Sequence, residues 1–516
     1  MIDADHLADE IVSCGTKEIF GVLGGGSSLQ LIDALLSRGL RFQPAHFEGT
    51  AAIMAGTLGR LTGKAGTVIS IKGPGLANML PGLAVCKFEN LPIVALVESY
   101  DFESFDSSAH KKIDHYKLTQ TVVKSCRYLL PEGRKNYSRC FELANRETPA
   151  PVLLNLAKGE SAIPNGSDDN TTAGFTSVSE LMATLNRSTH PIVILGSIAS
   201  RLPLGPMLKN LQIPVFTTVA AKGVLNEEAP QSAGIFTGAG GDKTPESHLV
   251  PQSDLVVGVG LRGNEILGSK MITSPIMNLE ISPTVRNDGL EIDKIGSLDD
   301  LELVLSELSV HSWGIEECRE VVTRLRGDLI ESGFLPAYTF NLLREKFPQN
   351  VRIVLDTGDF CTIAEHVWPS CGLDFLGASN SRYMGTGMPM ALAASMYDQS
   401  IPTILAVGDG GIGMYIADVK IAVERTLPLL LIFLTDGGYG SIKHSAVAQR
   451  IDPSLLEIPN PSWIRVIEQF GIESYQVSNK QSFNDALERW SQKDGPMFIE
   501  CVFNPTEYSE MSIGVR

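Results

Sequence analysis

The sequence lacks the features that mark several protein classes. Its 8 cysteines are scattered along 516 residues without a CxxC pair, so we expect reduced, mostly buried thiols rather than a disulfide framework or a zinc site. No apolar run reaches the roughly 18–20 residues that a transmembrane helix needs. Acidic residues outnumber basic ones, 59 to 42, and the net charge of −17 argues against nucleic acid or an anionic membrane as a partner. Residues 1–10 show no signal-peptide pattern, which predicts a cytoplasmic location.

The composition that remains is typical of a globular protein. Apolar residues make up 43% and charged residues 20% of the chain, and its length suits about three domains. Short apolar runs alternate with helical patterns along the chain. This alternation predicts an α/β protein with doubly wound parallel sheets.

One stretch, residues 404–441, carries the sharpest chemical pattern. Two apolar runs, 404–407 and 429–434, flank a helical segment at 415–425, which predicts two parallel buried strands. Asp409 and Asp436 follow these runs, 27 positions apart. Two carboxylates and a backbone carbonyl at strand ends suit Mg²⁺, and the glycines after Asp409 would let a phosphate approach. The pattern predicts a site for a magnesium diphosphate; the alternative is two ordinary Asp-Gly turns.

Gly408-Asp409-Gly410 with a polar residue 27 positions after the Asp resembles the cofactor motif of thiamine diphosphate (ThDP) enzymes. In that family the first Asp, an Asn or Asp in the second place and a backbone oxygen two residues later bind Mg²⁺. The resemblance therefore implies Asp409, Asp436 and Gly438 as metal ligands. Asp436 stands where Asn is commoner in the family. Catabolic acetolactate synthases also resemble this variant.

The first third of the chain carries a second resemblance. Glu48 precedes a helix of small residues, Gly73-Pro74-Gly75 is followed by Asn78, and another strand begins near Leu91. This order resembles the pyrimidine-binding domain of the ThDP decarboxylase and acetolactate synthase superfamily. The resemblance implies that Glu48 is catalytic and contacts N1′ of the cofactor's aminopyrimidine. On the residues alone, a carboxylate that meets a helix dipole is the alternative.

The resemblance implies further cofactor contacts in both regions. Met384 matches an apolar side chain wedged under the cofactor; the alternative is a core methionine. The implied cofactor-binding residues are Gly24, Gly25, Gly73, Asn78, Asp359, Phe360, Arg382, Met384, Gly408, Gly410, Gly411, Tyr439 and Gly440.

Several positions depart from the family pattern. Lys72 stands where the family often has Ser, and Lys111 aligns near a Gln common in acetolactate synthases. His110 and His115 flank Lys111 and suggest either acid–base chemistry or solvated loop histidines. Candidate substrate contacts are Lys72, His110, Lys111, Ser441 and Ile442.

By resemblance, three doubly wound parallel-sheet domains are expected. They are a pyrimidine-binding domain at 1–165, a central domain at 181–325 and a diphosphate- and Mg-binding domain at 335–516, with a polar linker at 161–180. Some members of the superfamily carry FAD or ADP in the central domain. We see no sharp dinucleotide fingerprint here and expect a structural domain without FAD.

The resemblance implies a ThDP- and Mg²⁺-dependent enzyme that acts on a 2-oxoacid. Simple pyruvate decarboxylases carry a Glu six residues after the second metal ligand, and Ile442 stands there. This favours an acetolactate synthase-like carboligase that transfers the acyl unit to a carbonyl acceptor. Lys443 and His444 are then candidate contacts for an anionic acceptor, or else exposed helix residues.

Two other functions stay open at this point. One is a 2-oxoacid decarboxylase or lyase that does not ligate, with Lys72, Lys111 or a histidine as the proton donor. The other is an inactive ThDP-fold binding subunit. The joint presence of Glu48, Asp409 and Asp436 argues against it. The family also implies a homodimer or homotetramer with active sites at subunit interfaces.

Overall fold

The computed structural model describes residues 2–101, 110–129, 135–158, 163–164, 176–265, 272–281, 293–295, 297–348, 350–491 and 495–515. By their contacts, the residues form two compact units. Unit 1 comprises Met1–Asp169, Met388–Gln399 and Met414–Leu427, and unit 2 comprises Asn170–Gly387, Ser400–Gly413 and Pro428–Arg516. Within the described ranges, no helix is both long and apolar enough to cross a bilayer.

Unit 1 is built on a seven-stranded sheet with strand order β2-β1-β3-β4-β6-β5-β7. All pairings are parallel except that of β7, which runs antiparallel to β5. Its first elements are α1 (Ala4–Ser13), β1 (Glu18–Gly21), α2 (Ser27–Leu36), β2 (Arg41–Pro44), α3 (Glu48–Thr62), β3 (Gly66–Ser70) and α4 (Pro74–Phe88). They are followed by β4 (Ile93–Glu98), α5 (His115–Thr119), β5 (Ser125–Leu129), α6 (Tyr137–Asn145), β6 (Val152–Lys158) and β7 (Ile163–Pro164).

Two helices of unit 1 pack with their backbones in close approach. A Cβ atom at Gly82 of α4 would lie 2.5 Å from the carbonyl oxygen of Gly49 in α3. A Cβ atom at Gly56 would lie 2.6 Å from Cys86 Sγ. The small residues of α3 therefore allow this contact, as their pattern in the sequence predicts, and α3 is buried along most of its length.

Unit 2 begins with a six-stranded parallel sheet of order β10-β9-β8-β11-β12-β13. The strands and helices around it are α7 (Val178–Leu185), β8 (Pro191–Leu195), α8 (Gly205–Leu208), β9 (Val215–Thr217), β10 (Ser232–Ile235), α9 (Pro245–Leu249), β11 (Leu255–Val259), β12 (Ile276–Glu280), β13 (Asp293–Lys294) and α10 (Leu298–Leu308). The 3₁₀ helices are Ser197–Arg201, Val219–Ala221, Val250–Gln252 and Gly263–Glu265.

A second six-stranded parallel sheet in unit 2 has the order β15-β14-β16-β17-β19-β18. Its elements are α11 (Ile315–Glu331), α12 (Pro336–Lys346), β14 (Arg352–Leu355), α13 (Asp359–Val367), β15 (Phe375–Gly377), α14 (Gly387–Tyr397), β16 (Thr403–Gly408), α15 (Lys420–Glu424) and β17 (Leu429–Thr435). The chain ends with α16 (Gly440–Ala448), α17 (Trp463–Glu468), β18 (Glu473–Val477), α18 (Lys480–Arg489), β19 (Met497–Val502) and α19 (Pro505–Met511), with 3₁₀ helices at Ile416–Val419 and Pro453–Leu456. By their contacts, most of α14 and all of α15 belong to unit 1.

The two sheets of unit 2 share a hydrophobic core. Val219, in the 3₁₀ helix after β9, and Ile235, in β10, pack in the same buried cluster as Ile353 and Ile432 from the last sheet. Burial of aliphatic side chains of this size stabilises a fold by about 1.5–3 kcal/mol each. This shared core explains why the central and C-terminal sheets form one compact unit.

The predicted fold class, three parallel-sheet α/β domains, is confirmed by these sheets. The two strands predicted around Asp409 and Asp436 are also confirmed, because β16 and β17 pair in parallel from Thr403↔Leu429 to Gly408↔Leu434. The predicted linker at 161–180 lies largely outside the described residues, although β7 pairs within it. The exact domain boundaries stay predictions.

Candidate active site

The carboxylate of Asp409 lies directly after β16 and is held by four donors. Its Oδ1 accepts hydrogen bonds from Thr435 Oγ1, at 2.7 Å, and from Asn460 Nδ2. Its Oδ2 accepts from the backbone N–H groups of Asp436, at 3.1 Å, and Gly437, at 3.3 Å. The residue is only 6% exposed. These contacts fix the position of a buried carboxylate at the carboxyl edge of the sheet.

Asp436 follows β17, the neighbouring strand, in a strongly charged environment. Burial raises the pKa of Asp436 to about 6; Lys443 opposes this shift, and the carboxylates of Asp409 and Asp359 add to it. Lys443 Nζ lies 3.6 Å from Asp436 Oδ2. Three carboxylates near one ammonium group leave an excess of negative charge, which a divalent cation would neutralise.

Gly438, the third predicted metal ligand, is buried and lies in an antiparallel bridge with Glu457. Such a site would contain two carboxylates and one backbone oxygen. Among the described residues there is no cluster of three or more His, Cys, Asp and Glu side chains placed to hold a metal ion. A cation at the predicted site would therefore keep coordination positions for water and phosphate oxygens, as Mg²⁺ usually does.

The glycines beside Asp409 allow neighbouring residues to pack closely at the same edge of the sheet. A Cβ atom at Gly410 would lie 2.8 Å from the Tyr439 ring and 3.0 Å from Met384 Sδ. A Cβ atom at Gly411 would lie 2.3 Å from Asp356 Oδ2. Met384 is partly buried. The predicted cofactor residues Met384, Gly410 and Tyr439 therefore meet at one point.

The side chain of Asp356 ties two loops together. Its carboxylate accepts from the backbone N–H groups of Thr357, at 2.6 Å, and Gly385, at 2.8 Å. Burial raises the pKa of Asp356 to about 7, while the hydrogen bonds from the backbone lower it. The side chain thus holds the Met384 segment against the loop that starts α13.

A cleft of about 540 Å³ opens beside these loops within unit 2. It is lined by the start of α13, the start of α16 and the C-terminal residues 512–514. Asp359, Arg382 and Ser441, which the sequence predicts as ligand contacts, all line this cleft. The Arg382 guanidinium donates to Glu365 and to Cys361 Sγ, so its charge is already paired with a buried carboxylate.

Other residues predicted near the diphosphate have distinct settings. Phe360 is 2% exposed and packs in the core, which leaves only its backbone for a ligand. Gly408 ends β16, and a Cβ atom at Gly440 would lie 2.9 Å from Asp436 Oδ2. Ile442, on α16, is 49% exposed.

Glu48 lies at the first turn of α3 in unit 1 and is 6% exposed. Its Oε2 accepts a hydrogen bond from Asn78 Nδ2 at 3.1 Å. A Cβ atom at Gly75 would lie 3.3 Å from Glu48 Oε1. The structure therefore brings together Glu48 and Asn78, which are separated by a strand in the sequence. The backbone of Gly75 lies close to the Glu48 carboxylate.

The remaining predicted residues of unit 1 cluster at the carboxyl edge of its sheet. Gly24 and Gly25 form the loop before α2, and Gly73 lies against the backbone of Lys111. Lys72 pairs with Glu98, a buried carboxylate that sequence reasoning missed.

The histidines fall into different environments. His110 is exposed. His115 is buried and shares a 2.6 Å hydrogen bond with Asn155, and burial lowers its pKa. The alternative of a solvated histidine is therefore wrong for His115. His444 Nε2 lies 3.9 Å from Asp359 Oδ2 and 3.3 Å from Ser512 Oγ, which both line the cleft, whereas Lys443 faces Asp436.

A buried carboxylate fills the crevice of the central sheet. Glu265 follows β11 and accepts hydrogen bonds from Ser197 N–H, at 2.7 Å, and Thr218 Oγ1, at 3.0 Å. Ser197 follows β8, and β8 and β11 are the neighbours at which the strand order reverses. A nucleotide phosphate would bind at this point in a doubly wound sheet, and a carboxylate there opposes it.

Comparison with known proteins identifies the family. Three family models match the chain: the N-terminal TPP binding domain of thiamine pyrophosphate enzymes at residues 3–118, their central domain at 178–308 and their C-terminal TPP binding domain at 356–501. The chain belongs to the thiamine pyrophosphate enzymes. Each of the three matched segments contains one of the three parallel sheets or most of it.

Several curated proteins resemble this ThDP enzyme along nearly their whole length. The acetolactate synthase isozyme 2 large subunit of Escherichia coli is 23% identical, with 96% of this chain and 94% of that protein covered. The acetolactate synthase large subunit of Pyropia yezoensis is 22% identical, covering 97% and 92%. The catabolic acetolactate synthase of Raoultella terrigena is 21% identical, covering 98% and 95%. These identities support an acetolactate synthase-like ThDP enzyme.

The residues of this ThDP enzyme fit the cofactor that its family uses. Hard oxygen donors with excess negative charge suit a divalent cation. Asn460, which the sequence pattern did not reveal, supports the first carboxylate. Its Oδ1 accepts from Trp463 Nε1 at 3.2 Å while its amide donates to Asp409, so its orientation is fixed.

Asn460→Ala is therefore expected to weaken Mg²⁺ binding about 10- to 100-fold, the usual effect of removing a partner that orients a metal ligand. The measurement is the Mg²⁺ dependence of ThDP binding, followed by calorimetry. Asn484→Ala, in α18, is the matched control because the Asn484 amide donates to the exposed carboxylate of Glu488 at 3.2 Å. Equal Mg²⁺ affinity in the Asn460 variant and the parent would show that Asp409 needs no such support.

Proposed function

We propose that this ThDP enzyme uses Mg²⁺, decarboxylates a 2-oxoacid and transfers the acyl unit to a carbonyl acceptor. The observation that carries carboligation is Ile442, an apolar side chain at the start of α16 where simple decarboxylases carry an acid. The acetolactate synthase relatives support the same reaction class.

In this proposal, unit 2 holds the metal and the diphosphate. Asp409, Asp436 and the backbone oxygen of Gly438 would hold Mg²⁺, which would supply positive charge to the diphosphate. The N-terminus of α13 would supply backbone N–H groups for the diphosphate, and the glycines after Asp409 would line it. Lys443 balances part of the charge at Asp436 before the cation binds.

Glu48 in unit 1 exchanges a proton with N1′ of the aminopyrimidine and thereby makes the cofactor basic. When bound, ThDP supplies a carbon nucleophile that attacks the 2-oxoacid carbonyl and holds the electrons released with CO₂. Asn78 keeps the Glu48 carboxylate in one orientation through its 3.1 Å hydrogen bond. A buried carboxyl group with a fixed partner is well suited to proton transfer.

The side chain at position 442 then influences the fate of the acyl unit. Release of an aldehyde requires a proton donor beside the reacting carbon, and an isoleucine cannot donate one. Carboligation is therefore favoured over simple protonation.

Product analysis after incubation with a panel of 2-oxoacids, with ThDP and Mg²⁺, tests this function. Hydroxyketone or acetohydroxyacid products that require both donor and acceptor are expected. Aldehyde and CO₂ without ligation products would instead support the alternative of a decarboxylase. No CO₂ from any 2-oxoacid would support the remote alternative of an inactive binding subunit.

A homodimer or a homotetramer is part of the proposal. In this superfamily the pyrimidine and diphosphate domains around one cofactor come from different subunits, so a monomer is expected to be inactive. Light scattering under assay conditions, run in parallel with activity, measures this directly. An active monomeric species at assay concentration would contradict the proposed assembly.

A further inference from the structure

A pair of charged side chains occupies the carboxyl edge of the sheet in unit 1. Lys72 follows β3 and Glu98 ends β4, and Lys72 Nζ lies 3.6 Å from Glu98 Oε2. The other oxygen of Glu98 accepts hydrogen bonds from the backbone N–H of Ser28, at 3.0 Å, and from its hydroxyl, at 2.6 Å. Glu98 is buried and held on both sides, so it anchors the ammonium group of Lys72.

The anchored lysine keeps contact with solvent. Its side chain is 27% exposed, and Nζ lies 5.1 Å from the centre of the Tyr100 ring. An ammonium group has three N–H donors, and a single carboxylate oxygen at 3.6 Å does not saturate them. Lys72 can therefore serve both as the counter-ion of Glu98 and as a donor to a bound anion.

A second lysine lies beside the first. A Cβ atom at Gly73, the residue after Lys72, would lie 2.3 Å from the carbonyl oxygen of Lys111 and 3.1 Å from its Cβ. Tyr100, whose ring faces Lys72, donates its hydroxyl to the carbonyl of His110 at 2.8 Å. Lys111 is exposed and has a left-handed backbone, with φ of 64°. Tyr100 thus contacts Lys72 through its ring and the residue before Lys111 through its hydroxyl.

These lysines lie close to Glu48 within unit 1. A Cβ atom at Gly75 would touch both Glu48 Oε1, at 3.3 Å, and Ile71 Cγ1, at 2.8 Å. A Cβ atom at Gly24 would touch Ile71 Cγ2, at 2.2 Å, and Glu98 Oε1, at 3.4 Å. The side chain of Ile71 therefore lies next to both the neighbourhood of Glu48 and the Glu98–Lys72 pair.

The ammonium group of Lys111 is available to a ligand. Lys72 is paired with Glu98, whereas Lys111 is exposed and makes no ion pair with another residue in the described part of the chain. The nearby carboxylates of Glu98 and Glu48 are buried, so the groups that this edge presents to solvent are the two ammonium groups. Ammonium groups in such a setting favour an anionic ligand.

We propose that Lys72 and Lys111 recognise a second anionic group on the 2-oxoacid donor, namely a carboxylate, phosphonate or sulfonate at the end remote from the oxo group. This inference rests on the proposed function, because it assumes a 2-oxoacid whose oxo group is handled beside Glu48. It narrows the substrate class from 2-oxoacids in general to those with two anionic groups. Glu98 acts as a positioning residue for Lys72.

The test compares donors that differ only in charge at the remote end. 2-Oxoglutarate and 2-oxoglutaramate have the same shape, but the second carries an uncharged amide. Sulfopyruvate and phosphonopyruvate, set against 2-oxobutanoate, distinguish a carboxylate preference from a preference for the other anions. The parent is expected to favour a dianionic donor over its uncharged counterpart by about 10- to 100-fold in kcat/KM, the range of one charge-assisted hydrogen bond.

Lys111→Met is expected to reduce that preference by at least tenfold, mainly through KM, because it removes binding rather than chemistry. Lys72→Met leaves the buried Glu98 carboxylate without its counter-ion. It is therefore compared with the double variant Lys72→Met/Glu98→Gln, in which no unpaired charge is buried. Lys117→Met is the matched control, since that lysine lies on α5 with a side chain 78% exposed. High salt should lower the parent's preference and leave the variants' preference unchanged.

The outcomes separate this inference from the proposed function. CO₂ release from 2-oxobutanoate or 2-oxoglutaramate with kcat/KM equal to that of the dianions would overturn the inference and leave the function standing. Loss of kcat/KM in Lys111→Met that is equal for charged and uncharged donors would also overturn it. No CO₂ release from any donor would overturn both.

Discussion

Asp409→Ala is expected to abolish Mg²⁺-dependent binding of ThDP, with a loss in affinity of more than about 100-fold. Removing a residue that merely orients a metal ligand typically costs 10- to 100-fold, so loss of the ligand itself should exceed that range. The variant also strands donors that now meet in the Asp409 carboxylate, from Thr435, Asn460 and the backbone of Asp436 and Gly437. Each buried donor left without a partner costs about 1–3 kcal/mol.

Calorimetric titration of ThDP, with Mg²⁺ and then with a chelator, measures this effect. Asp409→Asn keeps the shape of the side chain but removes its charge, so it should still bind ThDP poorly if the charge matters. Asp485→Ala, an exposed carboxylate on α18, is the matched control in the same unit and should bind as the parent does. ThDP affinity in Asp409→Asn equal to that of the parent would refute the metal assignment.

Glu48→Gln is expected to lower turnover by about 10²–10⁴-fold, the usual contribution of a proton-transfer group. ThDP binding should stay within about tenfold, about 1.4 kcal/mol, because the proposed diphosphate and metal contacts lie in unit 2. Glutamine can still accept the hydrogen bond from Asn78, which now joins Asn78 Nδ2 to Glu48 Oε2. The substitution therefore removes the acidic proton and little else.

Exchange of the C2 proton of bound ThDP, quenched in acid and followed by NMR, reports this step directly. Glu10→Gln serves as a control for a buried carboxylate of unit 1, since Glu10 caps the backbone near Asn136 and Ser138. It should alter thermal stability and leave the exchange rate alone. Exchange in Glu48→Gln as fast as in the parent would mean that Glu48 is only a carboxylate at a helix start.

Local patterns were sufficient to predict the strands that end beside Asp409 and Asp436. The apolar runs at 404–407 and 429–434 appear as β16 and β17, because a strand buried on both faces needs a continuous apolar sequence. The segment between them was predicted as one helix at 415–425. It forms a 3₁₀ turn at Ile416–Val419 and then a short helix, where Asp418 accepts from the backbone N–H of His46 at 2.8 Å.

The partners of the predicted residues could not be read from the sequence. Asn460 lies 51 positions after Asp409, and Glu98 lies 70 positions after Ser28. Periodicity reports which face of an element is buried, but it does not show which side chains meet across the edge of a sheet. The Glu265 carboxylate in the central crevice was missed for the same reason, since it joins the ends of separate strands.

The assignment of residues 388–399 and 414–427 to unit 1 bears on how such a protein can be recombined in evolution or in the laboratory. Arg425, from the last third of the chain, donates to Gln43 Oε1 in β2 at 2.7 Å and lies 3.5 Å from Glu18 Oε1 in β1. An excised N-terminal segment would lose these partners together with α14 and α15. If relatives exchanged the N-terminal segment at the linker, its residues would meet the 388–399 and 414–427 segments of a different parent. The first and last thirds of the chain are therefore expected to be inherited together.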